Sequence, residues 1–119
     1  MARERLPNRR PSSINRIEHV MPEGGGFVLE VAVAHFADGR VAELFVTDPG
    51  TKSGSALAVV LNDAAIIVSL FLQHGGRIDD LAKSLGRYDN GAPVSPLGAV
   101  VDLAIEIELE VMPPERSDA

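Results

Sequence analysis

Hydrophobic and polar positions along this chain follow two periods, helical and alternating. Residues 55–74 (SALAVVLNDAAIIVSLFLQH) form the longest apolar run, uninterrupted by Gly or Pro. Apolar side chains cover most of its helical surface, so the run predicts a buried helix at the centre of the domain, open to sharing between subunits. At about 100° per residue, Ser55, Asn62, Ser69 and Gln73 fall within roughly 40° of one another, with Asp63 beside them. Asn62 and Asp63 in mid-run, with no second apolar stretch or basic flank, argue against a membrane span.

Alternation marks the strands. In residues 27–36, Phe27, Leu29, Val31 and Val33 alternate with Val28, Glu30, Ala32 and Ala34. Asp38-Gly39 predicts a type I′ turn, and residues 40–47 the return strand. With Ala37 opposite Arg40, His35 pairs with Ala42, Val33 with Leu44 and Val31 with Val46, and that face is expected to lie on the long helix. The other face, Phe36 with Val41, Ala34 with Glu43 and Ala32 with Phe45, is apolar enough to need a cover: the N-terminal arm, the C-terminal segment or another subunit. Residues 14–20 predict a weaker strand, set off by Pro22 and the glycines at 24–26.

Ser53 or Ser55 is the expected N-cap of the long helix, and Gly75 suits a left-handed position after its end. Residues 79–85 predict a short helix with Leu81, Ala82 and Leu85 facing in. Ser95-Pro96 opens another, continued by Leu97, Val100, Val101 and Ala104. From Ile105, strict alternation with Glu106, Glu108 and Glu110 favours an edge strand over 105–111, although helical spacing survives through Val101, Ile105 and Leu109. The fold expected is α+β: an antiparallel three-stranded meander packed on a long buried central helix, with one or two shorter helices and the C-terminal edge strand. Residues 1–13 are expected as an extended basic arm, 14–112 as one domain, and 113–119 as a disordered tail.

Length and charge narrow this picture. A chain of 119 residues buries roughly two-thirds of its unfolded surface, enough for a core without staples. Cysteine is absent, which excludes disulfides, thiolate metal sites and thiol redox chemistry. A net charge of −6 disfavours nucleic acid, as does the scarcity of aromatic stacking platforms. No apolar segment follows the basic start, so the cytoplasm is the expected compartment. Arginines crowd the start and acids the end; solvated tails are the plain reading, pairing of arm with tail the sharper one, and a basic arm gripping a phosphate-bearing partner the third.

Few positions invite chemistry. Lys52, Ser53, Gly54 and Ser55 offer free N–H groups at a helix start with an adjacent ammonium, a place for a phosphate or an ordinary cap. Asn62, Asp63, Ser69, Gln73 and His74 form the one polar stripe that could line a ligand pocket, or be satisfied by neighbouring backbone. Glu30 and Glu43 could sit close enough on the outer sheet face for acid/base work. His19, His35 and His74 lack metal-ligand spacing, and no nucleophile elbow is present. No catalytic residue, metal or cofactor is expected.

Taken in order, Leu6-Pro7 with Arg9-Arg10, Asp38-Gly39-Arg40, Glu43-Leu44-Phe45, Lys52-Ser53-Gly54-Ser55, Asp63-Ala64, Ser69-Leu70, Gln73-His74-Gly75, Ser95-Pro96-Leu97-Gly98 and Asp102 resemble the TSCPD domain family. That family is the C-terminal module of many adenosylcobalamin-dependent (class II) ribonucleotide reductases and also occurs as short free-standing proteins. The resemblance runs from about Arg3 to Leu103. It implies a link to deoxyribonucleotide synthesis and a ribonucleotide reductase large subunit as partner. The Thr-Ser-Cys-Pro-Asp segment and a DxHxxG cobalamin motif are both absent here, and the reductase's catalytic barrel and cysteines cannot be housed in this chain. The leading expectation is therefore a non-catalytic reductase-associated module. A free-standing oligomeric binding module without a reductase partner comes second, and an enzyme using Asp63, Gln73 and His74 third. The apolar second sheet face and the apolar helix together predict a homodimer or higher oligomer.

Overall fold

The computed structural model describes residues 12–20, 26–47 and 56–111. The expectations for the arm before Ser12, the approach to the long helix and the tail lie outside them. Three strands, β1 (Ser12–Val20), β2 (Gly26–His35) and β3 (Val41–Thr47), form an antiparallel sheet in that order. Three helices follow: α1 (Ala56–Gln73), α2 (Ile78–Ser84) and α3 (Pro96–Val111). The α+β fold and the meander are as expected. Strand β1 begins two residues earlier than the alternation implied, taking Ser12 and Ser13 from the predicted arm.

The hairpin reaches its expected register by an unexpected route. Val31 pairs with Val46, Ala32 with Phe45, Val33 with Leu44 and Ala34 with Glu43, as read from the sequence. The turn is not type I′, however, since no non-glycine among the described residues has positive φ. Within the turn Gly39 alone is left-handed, at φ 98°; its N–H donates to Phe36 O, and Phe36 N–H donates to Arg40 O. This is a type I turn closed by a left-handed glycine, one residue longer than the predicted turn. A bulge between Ala34 and His35 then sets His35 opposite Val41 rather than Ala42. The extra residue in the turn and the extra residue in β3 cancel. Because a bulge sends two successive side chains the same way, Val41 and Ala42 are both buried.

The core lies between one sheet face and the helices. Leu29, Val31, Val33, Leu44 and Val46 meet Leu61, Ala65, Val68 and Leu72 of α1, Ile78 and Ala82 of α2, and Val100, Val101, Ala104 and Ile107 of α3. Helix α3 reaches all three strands, while α1 runs alongside β3. Two expectations are corrected here. First, α1 is buried on one side only: Val60 is 63% exposed and Ile67 67%, with Ile66 and Val59 also open. The apolar content of a helix reports its greasiness, not which of its sides is covered. Second, 105–111 is not an edge strand but the end of α3. Ile107 is buried and Leu109 is 72% exposed, so the buried set follows the helical spacing Val100, Val101, Ala104, Ile107. The alternation with glutamates was coincidental.

Both ends predicted for the helices are present. Gly75 takes φ 94°, Gly75 N–H donates to Leu72 O and Gly76 N–H to Phe71 O, the paired bonds of a Schellman ending. A Cβ at Gly76 would lie 2.4 Å from the Phe71 ring, which would have to swing aside to admit it. Ser95 Oγ accepts Gly98 N–H at 3.0 Å ahead of Pro96. The stretch after α2 folds into a small hairpin around a left-handed Gly91. Arg87 ties it down, donating to Ala82 O, Gly91 O and both carboxylate oxygens of Asp102. Hydrogen bonding to Asp102 holds the Arg87 proton more firmly than in a free guanidinium. Among the described residues no helix is long and apolar enough to cross a membrane.

Candidate functional site

The polar stripe on α1 divides into two buried members, Ser69 and Gln73, and three exposed ones, Asn62, Asp63 and His74. Ser69 Oγ accepts Leu44 N–H at 2.9 Å, and its own hydrogen is within reach of Ala65 O and Leu44 O. Gln73 Nε2 donates to Ala42 O at 3.0 Å. Both side chains are buried and bonded to the outer edge of β3. These contacts set α1 antiparallel to β3. Asn62 lies about 10 Å back along the helix at 1.5 Å per residue, near where β3 ends, and it is exposed together with Asp63. His74 is exposed too, its ring bonded through Nδ1 to Leu70 O at 2.8 Å. Two members of the stripe complete a sheet edge, the satisfaction by neighbouring backbone that was one of its two readings. Lys52, Ser53, Gly54 and Ser55 lie outside the described residues.

The outer-face carboxylates are not a pair either. Glu30 sits opposite Thr47 and Glu43 opposite Ala34, about 13 Å apart along the sheet at 3.3 Å per residue. Glu30 instead meets Arg16 at 3.1 Å. The histidines are held singly, His19 Nε2 to Val94 O and His35 Nδ1 to Gly39 O. No group of three or more metal-ligating side chains forms among the described residues, and none of their buried side-chain polar atoms lacks a partner.

The described residues also form recesses. An open groove of about 680 Å³ runs between the end of β1 and the small hairpin, lined by Glu18, His19, Tyr88, Asp89 and Asn90. A smaller one of about 210 Å³ is bounded by Phe36, Arg40, Gly75, Gly76, Arg77, Asp79 and Glu108. Its charges are matched internally: Arg40 Nε bonds Asp38 at 2.7 Å and lies over the Phe36 ring, and Arg77 faces Asp79 at 3.7 Å. Glu108 accepts Val41 N–H at 2.8 Å. Sequence reasoning did not assemble this recess, although Asp38-Gly39-Arg40 and Gln73-His74-Gly75, which border it, both belong to the pattern quoted above.

What fold and side chains define together is a small α+β module whose buried polar groups are occupied in holding it together. A family model described as the TSCPD domain matches residues 4–106, and the chain belongs to that family. It is 32% identical over 82 residues to a vitamin B12-dependent ribonucleotide reductase of Agrobacterium fabrum, covering 69% of this chain and 6% of the relative. A vitamin B12-dependent ribonucleotide reductase of Bradyrhizobium diazoefficiens is 32% identical over 94 residues, covering 77% of this chain and 7% of the relative. The chain thus spans less than a tenth of the length of these curated relatives. No solved structure matches it.

Proposed function

We propose that the chain is a non-catalytic module that works with a ribonucleotide reductase in deoxyribonucleotide synthesis, contacting a phosphate or nucleotide through Lys52 to Ser55 and the basic arm. The observation that carries this reading is the pair of vitamin B12-dependent reductases, each similar to this chain over a small fraction of its own length. Its non-catalytic character is supported by Ser69 and Gln73, the buried members of the nominated stripe, being engaged with β3 backbone. The test is calorimetric titration of the chain into a vitamin B12-dependent reductase trimmed of its matching segment. Saturable binding is expected, and an absence of binding heat at every nucleotide condition would sink the association. Thermal shift with nucleoside phosphates checks the contact: a raised midpoint is expected for wild type and lost in Lys52→Ala. The free-standing binding module remains the second reading because α1 leaves Val59, Val60, Ile66 and Ile67 open; it predicts no binding to any reductase.

A further inference from the structure

Strand β1 is an outer strand with an unusual sequence for that place. Edges are commonly blunted by Pro, bulges or inward charges, yet β1 runs nine residues, Ser12–Val20, with continuous pairing to β2. Which of its backbone groups face outward follows from the other edge. Leu44 directs its N–H and C=O to Ser69, away from β2, so alternation gives Ser13, Asn15, Ile17 and His19 the bonds to β2. The free edge is left to Ser12, Ile14, Arg16, Glu18 and Val20. Among the described residues nothing hydrogen-bonds to that edge. The same even-numbered side chains stand on the outer sheet face, where Ile14 is 77% and Val20 62% exposed.

We infer that β1 pairs with β1 of a second copy, antiparallel about a two-fold axis at Ile17, joining two three-stranded sheets edge to edge. A two-fold interface must be self-complementary, and this register is. Ile14 falls opposite Val20 of the second copy and Arg16 opposite its Glu18, each contact occurring twice. All four positions have outward backbone groups, so they form the closely bonded pairs of the new ladder. Neighbouring registers fail on charge or polarity. Centring on Arg16 sets that arginine against itself and Ile14 against Glu18. Centring on Glu18 sets the carboxylate against itself and Arg16 against Val20. Glu18 has no ion pair within its own chain among the described residues, whereas Arg16 already meets Glu30; in the pair, Arg16 sits between two carboxylates and the second copy supplies the partner Glu18 lacks. The axis stands perpendicular to the sheet, which keeps the helices of both copies on one side.

The experiment is sedimentation of the full chain. A particle of twice 12.6 kDa is expected. Glu18→Arg, which places like charges opposite at two symmetric points, should weaken association by about tenfold, and Arg16→Glu with Glu18→Arg should restore it. Because the chain has no cysteine, single-cysteine variants report register: oxidised Ile17→Cys should form a covalent dimer and Asn15→Cys should not. A monomer overturns the inference, as does a dimer indifferent to Glu18→Arg, which would assign the contact to another surface such as α1. Dimerisation seen only after removal of residues 1–11 overturns it too, by giving the edge to that segment.

Discussion

Along β3, Ala42 and Leu44 turn their spare backbone groups toward α1, where Gln73 donates and Ser69 both accepts and donates; at the head of the same strand Glu108 of α3 takes Val41 N–H. Along β1 the equivalent groups meet no hydrogen-bond partner among the described residues. The difference shows what sealing an edge requires. Water cannot serve a buried edge, so polar side chains must be carried into the apolar interior at the right height, one per free group or nearly so. Helix α1 carries two at a spacing of four residues, and no helix reaches β1 in that way.

The sealed edge is the more sensitive of the two. Ser69→Ala combined with Gln73→Leu leaves buried groups of Leu44 and Ala42 unmet, and should cost about 2–5 kcal/mol in urea denaturation. A change of only a few tenths would mean that water reaches this edge and that α1 does not close it. Glu108→Ala exposes a half-buried N–H at Val41 and should cost about 1 kcal/mol by the same measurement. The open edge should respond least. Ile14→Thr, followed by thermal unfolding at dilution where only monomer is present, should change stability by less than about 0.5 kcal/mol. A larger loss would show that a segment of the same chain covers that position.

What could be read in advance was local. Gly75 and Ser95-Pro96 each satisfy helix-end groups within four or five residues, so their roles follow from neighbours in sequence. The β2–β3 register was legible because burial on one face tolerates no one-residue slip; the turn and bulge adjusted around it. Misreadings arose where the deciding contact is distant. Sequence left two readings of Ser69 and Gln73 open because the backbone they bond, at Leu44 and Ala42, stands 25 and 31 residues away. Ile105 to Val111 reads as a strand because Leu109 and Val111 are apolar yet exposed, and only the packing of Ala104 and Ile107 identifies the inward face. The open side of α1 was invisible for a related reason: sequence reports the greasiness of Val60 and Ile67 but not the absence of a neighbour over them.

The Arg87 clamp bears on the order in which the chain assembles. Its bonds close loops of four, five and fifteen residues, whereas Ser69 reaches Leu44 across 25 residues and His19 reaches Val94 across 75. Closing short loops demands less entropy and happens sooner. The stretch from α2 through the small hairpin into the start of α3 is therefore a part able to collapse early, as is the β1–β2 pairing with Val20 opposite Gly26, while the closure of His19 onto Val94 comes late.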